Sequence, residues 1–155
     1  MRARLIALAF GKAEAMMPTV SIETATLLVQ IAFLVGAVTD ALAILPMLSR
    51  RIGVALFGGD SSRNSAEYRY AMGIAASLVA GWTLLLLWGA ASPIERRHVL
   101  LLTVFPVVTG IVIATAVAAR RRVVLLSRVI PLWIHLGVVS FLYIIAYVLS
   151  IPFAT

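Results

Sequence analysis

The sequence predicts an all-α integral membrane protein, in which four antiparallel transmembrane helices form one bundle behind a short N-terminal interfacial segment. Of the 155 residues, 63% are hydrophobic and 12% are charged, and the mean hydropathy of +1.08 exceeds that of soluble domains. Four apolar runs each supply the roughly 20 residues that a helix needs to cross a bilayer. Turn residues and basic residues separate these runs. The predicted spans are 24–45, 70–91, 99–119 and 129–151, within a single domain of 1–155.

The N-terminal tail, residues 1–20, is expected to lie at the membrane surface and to end at Pro18. A cleaved signal sequence is the alternative, because Arg2 and Arg4 give the tail a basic start. Lys12 interrupts the apolar stretch that follows, and a signal sequence needs an apolar core of about 7 to 15 residues. The interfacial interpretation is therefore favoured.

The first two spans have recognisable boundaries. Ser21 is the expected N-cap of the first span, and Pro46 is expected to close it. The connection 49–69 is the longest between spans. Asn64 followed by Glu67 resembles a capping box at the start of the second span.

Prolines mark the last two spans. Ser92, Pro93 and Glu95 combine an N-cap, a proline at the first helical position and a capping glutamate, so the third helix is predicted to begin near Pro93. Pro106 lies inside the third run, where it removes one backbone hydrogen bond and predicts a kink. The fourth run is predicted to start near Pro131.

The distribution of basic residues predicts the orientation in the membrane. Eight lie on the side of the two connections 49–69 and 120–128: Arg50, Arg51, Arg63, Arg69, Arg120, Arg121, Arg122 and Arg128. Five lie on the opposite side: Arg2, Arg4, Lys12, Arg96 and Arg97. The positive-inside rule therefore places both connections in the cytoplasm and both termini outside. The richness in Arg, Ala, Val and Leu fits a bacterial protein of the inner membrane.

The arginines of the second connection are also expected to contact anionic lipid headgroups. These arginines are Arg120, Arg121, Arg122 and Arg128. A basic cluster beside a membrane is attracted to the negative surface of the cytoplasmic leaflet. The net charge of +7 does not indicate nucleic-acid binding, because the basic residues lie at the ends of apolar runs.

Small residues at four-residue spacing form stripes on the first three spans. The residues predicted to mediate helix packing are Gly36, Gly73, Ser77, Gly81, Gly110 and Ala114. Such stripes let helix backbones approach closely in lipid, where no hydrophobic force drives helices together. They predict association between helices of this chain or with another membrane protein.

Four polar residues lie at a similar predicted depth inside the spans, and they form the candidate intramembrane cluster: Asp40, Ser77, Thr115 and His135. An ionisable residue inside a membrane is energetically costly, so it is treated by default as a candidate functional residue. Asp40 and His135 are therefore candidates for a charge-assisted hydrogen bond that handles protons or binds a ligand. The alternative, which is favoured, is that these residues hold helices together.

Several classes of chemistry lack a sequence signal. The chain has no cysteine, so disulfides and thiolate metal sites are excluded. Ser77, His135 and Asp40 match the residue types of a hydrolase triad without a nucleophile-elbow sequence. His98 and His135 are predicted near opposite surfaces, which disfavours a shared haem. No catalytic residue, metal or cofactor is expected.

The sequence accordingly predicts a small non-catalytic accessory or scaffold subunit, embedded in the lipid bilayer and packed against other membrane-protein subunits or itself. Two alternatives remain open. One is a proton-linked transporter or channel that works as a homo-oligomer and uses Asp40. The other is a lipid-binding protein or membrane-embedded enzyme with a pocket at Asp40 and His135.

Overall fold

The protein is an all-α four-helix membrane bundle, as the sequence predicts. The computed structural model describes residues 21–49, 51–53 and 66–153, and within these ranges it contains no strand. The predicted interfacial tail at 1–20 and most of the connection 49–69 lie outside the described residues. Four of the described helices are long and apolar enough to cross a membrane.

The helices run antiparallel in chain order. They are α1 (Ile22–Leu48), α2 (Ala66–Ala91), α3 (Pro93–Arg120) and α4 (Leu126–Ser150), which is followed by the 3-10 turn Ile151–Phe153. The start of α1, the end of α2, the start of α3 and the end of α4 share one end of the bundle, here called the Pro93 end. The opposite end, where α3 meets α4, is called the Arg120 end.

Helix α1 begins where a side chain satisfies its first backbone donors. The Ser21 Oγ accepts a hydrogen bond from the Thr24 N–H at 3.2 Å, which confirms Ser21 as the N-cap. The helix then continues through Pro46 to Leu48, beyond the predicted span 24–45. A proline in the last turn removes only one intrahelical bond, so it does not have to end the helix there.

Helix α3 changes its winding at Pro106. The segment Thr103–Val108 is a π-helical turn between two α-helical segments. Because proline has no N–H and its ring collides with the carbonyl one turn earlier, the wider turn accommodates it. The Val104 carbonyl in this turn accepts both the Thr109 N–H and, at 3.2 Å, the Thr109 hydroxyl.

The core forms where α1 packs against α2 and α4. The ring of Phe33 lies over Gly89 of α2, and the phenol of Tyr143 in α4 lies over Gly36. Both aromatic side chains are fully buried. The other core residues are Val29, Ala32, Ala37, Leu86, Ala90, Val99, Leu100, Val139 and Ala146.

The bundle opens toward the Arg120 end. The segment Thr109–Arg120 of α3 contains no buried residue, whereas the beginning of α3 contributes Val99 and Leu100 to the core. Its main packing partner beyond the π turn is α4. The change of winding at Pro106 therefore coincides with the point where α3 leaves the core.

The turn between α3 and α4 contains a left-handed arginine. Arg122 has φ 54°, a backbone conformation that residues with a Cβ adopt at a cost of about 1–2 kcal/mol. Its N–H bonds the Ala119 carbonyl at 3.0 Å, and the Val123 N–H bonds the Ala118 carbonyl at 2.9 Å. This pair of bonds is the Schellman pattern, which satisfies the last carbonyls of α3.

The contact between Gly36 and Tyr143 predicts the effect of an added methyl group. A Cβ at Gly36 would lie 1.6 Å from the Tyr143 hydroxyl oxygen, so Gly36→Ala should lower the free energy of unfolding in detergent by about 1–3 kcal/mol. Gly73→Ala is the matched control, because its new methyl meets no atom within 4 Å. Adding Tyr143→Phe to Gly36→Ala should recover part of the loss. Equal stability of the two single variants would contradict this packing.

The left-handed turn predicts a different substitution pattern. Arg122→Gly should be about 1 kcal/mol more stable than Arg122→Ala, because both remove the charge and only glycine relieves the backbone. At Arg121, whose φ is −79°, the order should reverse or vanish. Thermal unfolding of the four variants in one detergent tests this, and the same order at both positions would refute it.

Candidate functional site

Asp40 is the acidic residue deep within α1, whose other acid, Glu23, lies in the first turn. It lies eight residues before Leu48, or about 12 Å from the Arg120 end. The residue is partly buried, and among the described residues its carboxylate makes no hydrogen bond or ion pair. A carboxylate at this depth is costly in lipid unless another polar group reaches it.

Tyr143 is the polar residue of α4 that packs beside Asp40. It is 1% exposed, and its hydroxyl lies over Gly36, one helical turn before Asp40. Gly36 and Asp40 are four residues apart and share a face of α1, so Tyr143 packs on the same face as Asp40. The sequence offered a signal for Tyr143, since it shares the helix face of Ser140 and Tyr147, but depth alone favoured His135 as the partner.

The structure places His135 away from Asp40. The buried face of α4 contains Leu136, Val139 and Tyr143, and His135 is exposed on a neighbouring face. Successive residues of a helix are separated by about 100°, so one position is enough to remove a side chain from the interface. The predicted Asp40 and His135 pair is therefore not formed among the described residues.

The two hydroxyl residues of the predicted cluster are bonded elsewhere. Ser77 is exposed, and its Oγ donates to the Gly73 carbonyl of its own helix at 3.0 Å. Thr115 donates to the Ile111 carbonyl at 2.7 Å and accepts a hydrogen bond from Trp133 Nε1 at 2.9 Å. The Ser77 hydroxyl is thus hydrogen-bonded within its own helix, whereas the Thr115 hydroxyl joins α3 to α4.

The predicted packing residues divide into one buried glycine and several open ones. Gly36 is buried against Tyr143. A Cβ at Gly73, Gly81 or Gly110 would meet no atom within 4 Å. Ser77 and Ala114 are also exposed. Apart from Gly36, these positions face away from the described helices, so no helix of the described chain uses them for close packing.

Arginine and aromatic residues lie together at the Pro93 end. The guanidinium of Arg96 lies 3.8 Å from the centre of the Trp88 ring and donates to the Trp88 carbonyl. Arg97 is buried and donates to the Ile94 carbonyl at 3.1 Å. These bonds satisfy carbonyls around the tight turn between α2 and α3. Arg96 and Arg97, which the sequence analysis used only to predict orientation in the membrane, therefore also stabilise this turn.

His98 lies beside this arginine cluster. Its Nδ1 is 3.3 Å from the Tyr147 hydroxyl, and their ring centres are 5.6 Å apart. This contact joins the start of α3 to the end of α4. Among the described residues, no group of three His, Cys, Asp or Glu side chains is placed to hold a metal ion.

The surroundings of Asp40 predict how its neutralisation affects folding. Asp40→Asn should leave the free energy of unfolding of the isolated chain within about 0.5 kcal/mol of wild type, or raise it, because no hydrogen bond among the described residues is lost. Tyr143→Ala should lower the same free energy by about 3–5 kcal/mol, since a fully buried aromatic side chain is removed. A loss above about 1 kcal/mol for Asp40→Asn would instead make Asp40 a structural residue.

Comparison with protein-family models, with curated proteins and with solved structures finds no match to this chain. No relative therefore supplies a function, a ligand or a set of site residues. The residues with unexplained placement are Asp40, partly buried without a hydrogen bond in the described chain, and the open glycines of α2. A function has to account for both.

Proposed function

We propose that this protein is a non-catalytic membrane subunit that packs laterally against a transmembrane helix of another chain. The contact surface is the open glycine face of α2, defined by Gly73, Ser77 and Gly81. The single observation that carries the proposal is that these residues are spaced for close helix packing and touch no helix of the described chain. The partner is either a second copy or a different membrane protein.

The open glycine face is energetically unfavourable unless a helix covers it. Each glycine in a helix interior is about 0.5–1 kcal/mol less stabilising than alanine, and no neighbour in the described part of the chain requires a glycine at position 73 or 81. In the most apolar 18-residue window of α2 only 11% of residues are buried, against 28% in α1. Close backbone contact with another helix would offset this cost through van der Waals packing.

The chemistry of Ser77 suits such a contact. Its hydroxyl already donates to the Gly73 carbonyl, so covering the face leaves no hydroxyl donor unsatisfied. The side chain is small enough to keep the spacing of the two glycines. An apolar helix can therefore cover this face without burying an unsatisfied hydrogen-bond donor.

Asp40 supports an association at the same depth. It lies about 12 Å from the Arg120 end, and Gly73 lies seven residues after Ala66, or about 10 Å from that end. A partly exposed carboxylate at that depth needs a polar group, so the proposed partner helix would carry one polar residue beside its apolar contact with the open glycine face. This gives Asp40 a role in recognition of the partner.

The geometry does not favour the catalytic alternative. A hydrolase triad needs its serine, histidine and acid aligned within hydrogen-bond distance. Ser77 bonds its own helix and His135 is exposed on a different helix from Asp40, so the three residues do not form this arrangement. The subunit is accordingly proposed to act by binding.

We place the Arg120 end and the connection 49–69 in the cytoplasm, and both termini outside, in a bacterial inner membrane. The excess of basic residues at the Arg120 end supports this orientation. With this orientation, Asp40 and Gly73 lie in the cytoplasmic half of the bilayer, and Gly81 lies near its centre.

Substitution of the open glycine face tests the proposal. Gly73→Leu and Gly81→Leu should weaken association at least tenfold, about 1.4 kcal/mol, because a large side chain separates the helices. Gly137→Leu is the matched control, since Gly137 is equally open but lies between Trp133 and Phe141 rather than small residues. Resonance energy transfer between labelled copies in vesicles measures self-association. Co-purification from native membranes identifies a different partner.

The controls separate a binding defect from a folding defect. Thermal unfolding should show that the three leucine variants retain the stability of wild type, because each new side chain points into open space. Wild-type protein that is monomeric in vesicles and co-purifies with nothing would refute the proposal. Proton flux in vesicles that Asp40→Asn abolishes would instead support the transporter alternative.

A further inference from the structure

We propose that the crevice between α3 and α4 at the Arg120 end binds one anionic phospholipid, with the phosphate at Arg120 and an acyl chain along Trp133. The crevice has a volume of about 340 Å³. It is lined by Ala116, Ala119, Arg120, Leu126 and Trp133. This site is separate from the open glycine face and does not depend on the proposed association.

The crevice follows from the placement of small residues on α3. Ala116, Ala119 and Arg120 are three and four residues apart, so they share one face of the helix. The side chains of Ala116 and Ala119 are single methyl groups, so they leave a space that larger side chains would fill. Because this half of α3 contributes no residue to the core, the space is not closed by α1 or α2.

Trp133 forms an apolar wall of the crevice. Its Nε1 donates to Thr115 Oγ1 at 2.9 Å, and Thr115 is itself held by a bond to the Ile111 carbonyl at 2.7 Å. The indole has no second donor, so its ring offers only an apolar surface to a ligand. A fully polar solute has no partner at this wall, whereas an acyl chain does.

Arg120 supplies the cationic side chain of the crevice. Arg121 and Arg122 follow it in the exposed turn. The sequence contains no Asp or Glu after Glu95, so neither the turn nor α4 carries an acidic side chain that would compete with a ligand. Guanidinium groups bind phosphate through paired hydrogen bonds, which favours a phosphate headgroup.

The helix ends at the crevice also favour an anion. Two carbonyls near the end of α3, those of Ala118 and Ala119, accept bonds from the turn, which weakens their repulsion of a phosphate. The N-cap of α4 is Leu125, which provides no side-chain cap to the first N–H groups. The N-terminus of a helix attracts negative charge, and Leu126 at this terminus lines the crevice.

Native mass spectrometry of the full chain in mild detergent tests the site. With added phosphatidylglycerol or phosphatidylcholine, we expect at least a tenfold preference for phosphatidylglycerol on the monomer. Arg120→Gln should reduce phosphatidylglycerol binding at least tenfold. The matched control is Arg121→Gln, which removes the same charge from a residue that does not line the crevice, and it should reduce binding less than threefold.

A second variant keeps every charge and fills the crevice. Ala116→Leu should reduce phosphatidylglycerol binding at least fivefold while thermal unfolding stays close to wild type, because the new side chain occupies the acyl position. Soluble glycerol phosphate should not compete with the lipid. Equal losses for Arg120→Gln and Arg121→Gln, full competition by glycerol phosphate, or binding to dimers alone would each overturn the proposal.

Discussion

The packing of α1 against α2 and α4 is the contact on which the rest of the bundle depends. Phe33 closes on Gly89 and Tyr143 closes on Gly36, so each interface joins a large ring to a residue without a side chain. In lipid, helices gain little from burying apolar surface, and close contact must supply the attraction. These two ring-and-glycine contacts bring the backbones near enough for that attraction to act.

The polar groups of the described spans follow the same constraint. A bilayer core contains no water, so a hydroxyl must bond within the protein. Ser77, Thr83, Thr103 and Thr115 each donate to a carbonyl one turn earlier in their own helix. Thr103 and Thr115 then accept tryptophan N–H bonds from neighbouring helices. The Asp40 carboxylate makes no such hydrogen bond among the described residues, so its placement in the span calls for a functional explanation.

Pro106 explains why the two ends of the bundle differ. The π turn at Thr103–Val108 lies between a segment of α3 that enters the core and a segment that does not. The Pro93 end is consequently closed by aromatic and arginine contacts, and the Arg120 end is open. The crevice beside Trp133 and the partly exposed Asp40 both belong to the open half.

The sequence by itself determined the four helices, most of their boundaries and the disturbance at Pro106, because span length, caps and proline act locally. Tertiary structure alone decided the rotation of each helix, and hence that Tyr143 rather than His135 faces α1. In a soluble protein the polar face of a helix reveals this rotation. Here polar residues are few even on the α4 face of Ser140, Tyr143 and Tyr147, so the sequence pattern predicts depth better than rotation. The fit of large residues against small ones sets which side chains meet.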